Sequence, residues 1–489
     1  MEKRRSKNSL TNNFIWSLAE KTGRYGITLL TSIVLARILE PEEFGVTAIV
    51  TVLITLANVF VQNGFGFAII QKKDATDKEF TFVLLFNVVV SIGIYLLIFI
   101  IAPIAERYYE MDGLSTIIRV MSISVIVAAV GNIQQAYVSK RLEFKKLFVS
   151  TFSAVMISGI VGVVMALTGY GVWSLVVQHL LYSVVSTIAL AVSSGMKMEK
   201  GVSFSECKDT LSLGWKFLLT SLVMTIGSEI RTLVIGKLYS PTDLAYVNKG
   251  QRLTNAPMTV VQSSITAVMY PVLAKHQDST ERIRDIVRRF AQVSSFVIFP
   301  VLFGMAAVAD YLVPLLLTNK WIESVQYVVI YCFIWLLNPI QMAHIQAIKA
   351  VGKGNILVAL EIVKLFVSLG ILAISVVMFD SIQAIVIGLL IAETICTLLI
   401  CPIGKKLFRY SFRMQVGDII LPLFLSAVMF VLVKTVGLLN INAFLTLILQ
   451  IVVGAIGYVG LSCLLKPKGF AVAIQIVGRY LSNLRTEKN

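Results

Sequence analysis

Charged residues are scarce in this chain. They make up 14% of its 489 residues, while hydrophobic residues make up 57%; a soluble domain carries roughly a quarter charged residues. Apolar segments of about twenty residues, long enough to cross a bilayer, recur along the whole length. The composition therefore excludes a soluble globular protein and indicates a polytopic membrane protein. We predict an all-α fold, because a helix satisfies its own backbone hydrogen bonds in lipid and the alternating pattern of barrel strands is missing.

Residues typical of catalytic and metal sites are also few. The three histidines are scattered, and the five cysteines form no C-x-x-C pair. We interpret His179 as a core residue, His276 as a surface residue and His344 as pore-facing or core, and the cysteines as small apolar side chains. No Asp-x-Asp, His-Glu-x-x-His or P-loop motif occurs. These absences argue against an enzyme, a metal site and a bound cofactor.

Acidic residues are outnumbered, with 27 Asp and Glu against 43 Lys and Arg, which gives a formal net charge of +16. Most of these cations lie in alternate loops, and the other loops clearly show only Arg107 and Lys320. Lys and Arg mark the cytoplasmic loops of membrane proteins. The distribution therefore predicts cytoplasmic termini, an even number of spans and no nucleic-acid partner.

One segment occurs twice. Val34–Val46 reads V-L-A-R-I-L-E-P-E-E-F-G-V and Val234–Val247 reads V-I-G-K-L-Y-S-P-T-D-L-A-Y-V, so that Pro41 aligns with Pro241 and Gly45 with Ala245 without a gap. The matching positions are the rare ones in an apolar chain: a cation, a proline and an acid. We infer an internal duplication in which each copy is a helical hairpin with a tight turn that begins at proline.

The apolar pattern predicts about fourteen transmembrane helices. We assign residues 1–200 to an N-terminal six-helix lobe, 201–410 to a C-terminal six-helix lobe, and 411–489 to two extra helices and a basic cytoplasmic tail. Six spans per lobe is an even number, so a pseudo-two-fold axis along the membrane normal should relate the lobes, with any substrate site between them near the midplane. The predicted spans are 13–38, 44–70, 79–104, 114–138, 148–168, 171–194, 213–238, 243–273, 285–309, 322–348, 355–378, 381–402, 417–438 and 441–465.

Charged side chains inside these spans are the candidates for function, since each costs about 2.5–3.5 kcal/mol at the bilayer centre unless it faces protein or water. Lys249 and Arg252 share one helix face with no acid near them along the helix, which predicts a cavity that binds an anion; the alternative is pairing with an acid on another helix. We expect Glu361 and Lys364, at i and i+3, to neutralise each other. The remaining candidates are Glu20 and Arg24 on the first span, Glu229 and Arg231 on the seventh, and Glu393 as the one acid of the twelfth.

The pair Glu20 and Arg24 has two open interpretations, mutual neutralisation or function. We name Glu20, Glu229 and Glu393 as the carboxylates for ion coupling, because no ATP-binding motif is present. Neutral amides accompany the charges, and amides either bind sugar hydroxyls or join helices. They are Asn58, Gln62, Asn63, Asn132, Gln134, Gln135, Asn255, Gln262, Asn338 and Gln341.

Four stretches carry a family resemblance. They are S-L-A-E-K-T-G-R-Y-G from residue 17, R-I-L-E-P-E-E-F-G-V from residue 37, K-R-L-E-F-K-K from residue 140 and T-G-Y-G-V-W-S-L-V from residue 168. With them the chain resembles the polysaccharide-transporter branch of the multidrug/oligosaccharidyl-lipid/polysaccharide exporter superfamily, in particular the O-antigen, colanic-acid and teichuronic-acid flippases. The similarity covers essentially the whole chain and is strongest in the first lobe.

The resemblance implies a V-shaped molecule of two lobes that alternates between inward-facing and outward-facing states in the bacterial cytoplasmic membrane. It would carry an undecaprenyl-diphosphate-linked oligosaccharide to the outer leaflet, among membrane lipids and with a polysaccharide polymerase or assembly proteins as further partners. The positions that match the family's cavity cations in helix and charge are Arg24, Arg231, Lys249 and Arg252. The alternatives are a multidrug or cation antiporter of the same superfamily, which would need acids in the cavity, and a membrane enzyme of glycan assembly.

Overall fold

The computed structural model describes residues 2–63, 66, 69–70, 72, 75–199, 204–277, 279–439 and 441–472. The described residues form helices joined by short turns and contain no strand, which confirms the all-α prediction. The last part of the predicted basic tail, 473–489, lies outside the described residues, as do Lys73 and Lys200 of the predicted cytoplasmic loops.

The chain divides into two compact units, Met1–Ala245 and Tyr246–Asn489. In the first unit α5 packs on α1 and α6, α4 packs on α3 and α6, and α2 contacts α7. The first seven helices are α1 (Glu2–Ile38), α2 (Pro41–Asn58), α3 (Asp77–Tyr109), α4 (Leu114–Lys140), α5 (Phe144–Leu167), α6 (Val172–Ser194) and α7 (Phe204–Leu238), and a π-helical turn (Val59–Asn63) extends α2.

The helix α8 (Pro241–Ala274) begins in the first unit and continues in the second. Within the second unit α9 packs on α14 and α15, and α12 packs on α13. Its helices after α8 are α9 (Thr280–Leu317), α10 (Ser324–Trp335), α11 (Asn338–Ala350), α12 (Gly354–Met378), α13 (Ile382–Phe408), α14 (Phe412–Val436) and α15 (Ala443–Leu465). The assignment of lobes at 1–200, 201–410 and 411–489, and the two-fold relation between them, stay predictions.

The duplicated segments form two turns of the same construction, as predicted. In the first, Pro41 opens α2, and the Glu43 carboxylate accepts a hydrogen bond from the backbone N–H of Glu40 at 2.9 Å. In the second, Pro241 opens α8, and the Asp243 carboxylate accepts from the N–H of Ser240 at 3.3 Å. Proline suits the first helical position, where no N–H is needed, and an acid at the third closes a capping box. The aligned prolines and acids are therefore explained by helix capping.

The two turns also touch each other within the first unit. A Cβ atom added at Gly45 would overlap the backbone carbonyl of Pro241, and one added at Gly236 would lie 3.0 Å from the side chain of Ile49. The start of α2 therefore approaches α7 and the first residues of α8 closely enough to require glycine. This contact explains why Gly45 lacks the methyl group that Ala245 carries at the matching position.

Ten of the described helices are long and apolar enough to cross a membrane, and α10 with α11 makes an eleventh if this pair, bent by 42°, is one span. The predicted tenth span, 322–348, is therefore broken rather than continuous, because Pro339 stands in the first turn of α11 and cannot continue a helical hydrogen-bond ladder. The number fourteen stays a prediction.

A cluster of polar side chains joins α9 to α14 in the second unit. The guanidinium of Arg288 donates two hydrogen bonds to the carboxylate of Asp418, at 2.8 and 2.9 Å, and Gln292 donates a third at 2.7 Å. The hydroxyl of Tyr410, in the turn before α14, donates a fourth at 3.1 Å; burial, and next the Asp418 charge, raise the pKa of this phenol, so it keeps its proton. The side chain of Asp418 is 1% exposed, and each of its oxygens is satisfied twice.

Candidate functional site

The first unit contains a cavity of about 460 Å³ among α1, α2, α4, α5 and α6. This volume lies within the range of about 300–1,000 Å³ that is usual for ligand pockets. Its charged lining residues are Glu20, Lys21 and Arg24, which all come from α1. The neutral polar residues of its lining are Asn58, Gln62, Ser124, Asn132, Gln135, Thr151, His179, Tyr182, Ser183, Ser186 and Thr187.

Arg24 and Glu20 lie one helical turn apart, with Nε and Oε1 separated by 3.6 Å. This distance is too long for a hydrogen bond, and the buried Nε of Arg24 has no hydrogen-bond partner in the described part of the chain. The guanidinium also lies over the ring of Tyr25, 5.0 Å from its centroid. The structure thus places Arg24 at a polar cavity, and its ion pair with Glu20 contains no close hydrogen bond at Nε.

The other predicted cations lie on α7 and α8. Arg231 is half-buried in α7, beside half-buried Glu229. On α8, Lys249 is 5% exposed, with its ammonium 4.9 Å from the ring centroid of Trp321, whereas Arg252 is exposed. A buried ammonium over an indole face gains a cation–π interaction. The two α8 cations therefore differ in environment, and their role in binding an anion stays a prediction.

The acid Glu393 on α13 has a partner that the sequence did not reveal. Lys364 on α12 forms an ion pair with it at 2.8 Å, and Gln341 on α11 donates to its carboxylate at 3.1 Å and to Thr397 at 2.7 Å. The expectation that Lys364 is neutralised by Glu361 on the same helix is therefore wrong. A carboxylate on the adjacent helix reaches the ammonium more directly than the i, i+3 neighbour does.

The amides divide by unit. In the second unit they bond to other side chains: Gln262 donates to Asn338 at 2.9 Å, and the indole N–H of Trp335 donates to Asn255 at 3.0 Å. In the first unit four of them line the cavity, namely Asn58, Gln62, Asn132 and Gln135. The interpretation as helix-joining groups therefore fits the second unit, and the interpretation as ligand-binding groups fits the first.

Several cavity residues were not predicted. His179, expected in the core, lines the cavity together with Tyr182, Ser183, Ser186 and Thr187. These positions recur every three or four residues on α6, so a polar stripe on an otherwise apolar helix was the signal that would have found them. His344 is fully buried and stacks on Tyr410 with ring centroids 5.6 Å apart, which confirms the core alternative.

Comparison with known proteins identifies relatives that match most of the chain. The family described as "Polysaccharide biosynthesis protein" matches residues 34–326. Lipopolysaccharide biosynthesis protein WzxC of Escherichia coli (strain K12) is 25% identical over 84% of this chain and 84% of its own length. Teichuronic acid biosynthesis protein TuaB of Bacillus subtilis (strain 168) is 22% identical over 61% of this chain and 62% of its own length.

Among solved structures, the lipid II flippase MurJ in an inward closed conformation shares the fold with a TM-score of 0.78. The similarity covers 92% of this chain and 98% of that one, at 15% sequence identity. A multidrug resistance MATE family transporter of the MOP superfamily, in an inward-facing conformation, matches with a TM-score of 0.60 and 16% identity. The chain therefore shares the fold of these two proteins, and the family match to residues 34–326 confirms the resemblance inferred from the sequence.

Proposed function

Because the chain belongs to the polysaccharide biosynthesis protein family, we propose that it is a flippase for lipid-linked oligosaccharides. In this proposal it moves undecaprenyl-diphosphate-linked units from the inner to the outer leaflet of a bacterial cytoplasmic membrane, by alternating access. The names of the relatives, which refer to lipopolysaccharide and teichuronic acid biosynthesis, support a surface polysaccharide as the product.

The observation that carries the proposal is the charge of the first-unit cavity. Its lining has two cations, Lys21 and Arg24, and one acid, Glu20. A diphosphate bears about two negative charges, and hydrogen bonds from a guanidinium to phosphate are roughly twice as strong as neutral ones. An organic cation would instead require an excess of acids. The cavity therefore favours an anionic head group over the substrate of a cation antiporter.

The helices that carry the predicted cations support the same conclusion. Arg24, Arg231, Lys249 and Arg252 lie within the long helices α1, α7 and α8. Charged side chains inside spans almost always face protein or a water-filled cavity. We assign Arg231, Lys249 and Arg252 to the diphosphate at stages of transport other than the one in which Arg24 holds it.

Ion coupling is part of the proposal. Phosphate and the Glu20 carboxylate compete for the same guanidinium, because Glu20 lies 3.6 Å from Arg24. Protonation of Glu20 would remove this competition, so substrate binding and proton uptake would be linked. We propose Glu20 as the first carboxylate to test, and Glu229 and Glu393 as the other two candidates. If Gln at all three positions leaves flipping and its pH dependence unchanged, coupling through these groups is wrong.

The flippase proposal is tested in cells that lack the gene. Lipid-linked saccharide should accumulate on the inner leaflet, and the wild-type gene should restore export. Arg24→Ala should reduce export by roughly ten- to hundredfold, because a charge-assisted hydrogen bond contributes about 1.5–3 kcal/mol. Arg24→Lys should give an export level between those of wild type and Arg24→Ala, because the charge is kept but the planar fork of the guanidinium is lost.

Two outcomes would contradict this reasoning. Wild-type export by Arg24→Ala, at equal protein abundance, would exclude Arg24 from the substrate site. Normal surface glycan combined with altered drug sensitivity in the deletion strain would point to an antiporter instead. We also propose cytoplasmic termini, from the loop cations, and reporter fusions at each end should be active on the cytoplasmic side only.

A further inference from the structure

The cavity of the first unit contains a neutral part that the phosphate does not need. All three charged residues of its lining lie on α1, whereas α2, α4 and α6 contribute uncharged amides, hydroxyls and an imidazole. A phosphate is held by cations, but a sugar is held by groups that both donate and accept hydrogen bonds. The chemistry of this part of the cavity is therefore that of a polyol site.

Two amides in it have unused hydrogen-bonding atoms. Oδ1 of Asn58 and Nδ2 of Asn132 are buried and have no hydrogen-bond partner within the described residues. A buried polar atom without a partner costs about 1–3 kcal/mol, and a ligand recovers this cost when the amide turns that atom toward the cavity. One of these atoms accepts and the other donates, and a sugar hydroxyl does both.

The walls around these amides are fixed by helix contacts. Ser183 and Thr187 on α6 donate to backbone carbonyls of α4, at Ser124 (3.4 Å) and Val127 (3.3 Å). At Gly131 the two helices approach so closely that a Cβ atom would lie 2.5 Å from the Thr187 hydroxyl. The helix that carries Asn132 is thus tied to the polar face of α6, so the amide is held in position before a ligand arrives.

From these observations we propose that the first-unit cavity binds the sugars next to the diphosphate, and that Asn58 and Asn132 determine which saccharide is accepted. The proposal rests on the flippase function and adds to it the part of the substrate that the cations do not recognise. A site built to bond hydroxyls rejects a ligand that lacks them, because its own polar groups are then left unpaired. The protein should therefore distinguish a glycosylated carrier from the bare carrier lipid.

The experiment uses the purified full chain and two probes. One is bare undecaprenyl diphosphate, and the other is the pool of polyprenyl-diphosphate saccharides extracted from source cells that lack the gene. Native mass spectrometry measures which lipids remain bound. Wild type should prefer the glycosylated lipids, and Asn58→Leu and Asn132→Leu should each lower that preference by roughly two- to tenfold, with unchanged binding of the bare lipid.

Two further sets of variants keep the test decisive. Asn58→Ser and Asn132→Ser keep a small polar group and should give intermediate preferences, which covers the case in which leucine prevents folding. Asn255→Leu is the matched control, because this amide on α8 bonds to Trp335 and does not line the cavity; it should leave the preference unchanged.

The outcomes separate the two proposals. Equal binding of glycosylated and bare lipid by wild type overturns the sugar site and leaves the flippase proposal standing. A preference that survives in both the leucine and the serine variants also overturns it. If wild type binds neither lipid, the flippase proposal itself fails, and the sugar site fails with it.

Discussion

Removal of the Asp418 carboxylate should weaken the packing of α9 on α14 and destabilise the second unit strongly. Asp418 accepts four hydrogen bonds from Arg288, Gln292 and Tyr410, and loss of one partner of a buried ion pair typically costs 3–5 kcal/mol. The side chain of Arg288 keeps 29% exposure, so water compensates part of the loss, and we expect about 3 kcal/mol for Asp418→Ala. Asp418→Asn keeps the shape and one acceptor and should lower the free energy of unfolding by about 2 kcal/mol.

The same two helices supply a matched control. Lys434 on α14 pairs with Asp310 on α9 at 2.5 Å, but these side chains are 39% and 55% exposed. An exposed pair contributes about 0–1 kcal/mol, so Asp310→Ala should have little effect. The assay is the free energy of unfolding from detergent titration in mixed micelles. If Asp418→Ala and Asp310→Ala lower it equally, burial does not decide the strength of these pairs and the reasoning is refuted.

Two further predictions concern contacts between helices. Gly45→Ala should lower the free energy of unfolding by about 1–3 kcal/mol, because its Cβ atom meets the Pro241 backbone; Gly93→Ala, where a Cβ atom meets nothing within 4 Å, should raise it, and thermal unfolding that shifts both variants the same way would contradict this. Lys364→Met and Glu393→Gln should each destabilise by about 1–2 kcal/mol, and the double variant by less than their sum; strictly additive values in a double-mutant cycle would show that the 2.8 Å pair is not coupled.

The sequence predicted those features that are encoded locally. Long apolar segments gave the helices, and the turns at Pro41 and Pro241 followed from a proline and an acid two residues later, which are the ingredients of a capped helix start. In each case a short stretch of chain contains the whole physical cause. For Arg24 the residues alone left pairing with Glu20 and function open, and only the family resemblance indicated a cavity.

The features that the sequence missed depend on packing between distant segments. Arg288 and Asp418 are 130 residues apart, and Glu393 meets Lys364 only because α12 packs on α13. Charge spacing along one helix suggested Glu361 as the partner of Lys364, but spacing cannot weigh that neighbour against an acid on an adjacent helix. The same limit applies to the amides, whose bonding partners are set by helix packing.

The amides that line the first-unit cavity argue that it is more than a packing defect. Amides that join helices satisfy each other, as Gln262 and Asn338 do at 2.9 Å, and such bonds stabilise association in lipid by about 1 kcal/mol. Asn58 and Asn132 instead keep buried atoms without partners among the described residues, which opposes folding. A fold that needed only stability would be served better by apolar side chains at both positions. A hydroxyl-bearing ligand recovers that free energy when the two amides turn these atoms toward the cavity.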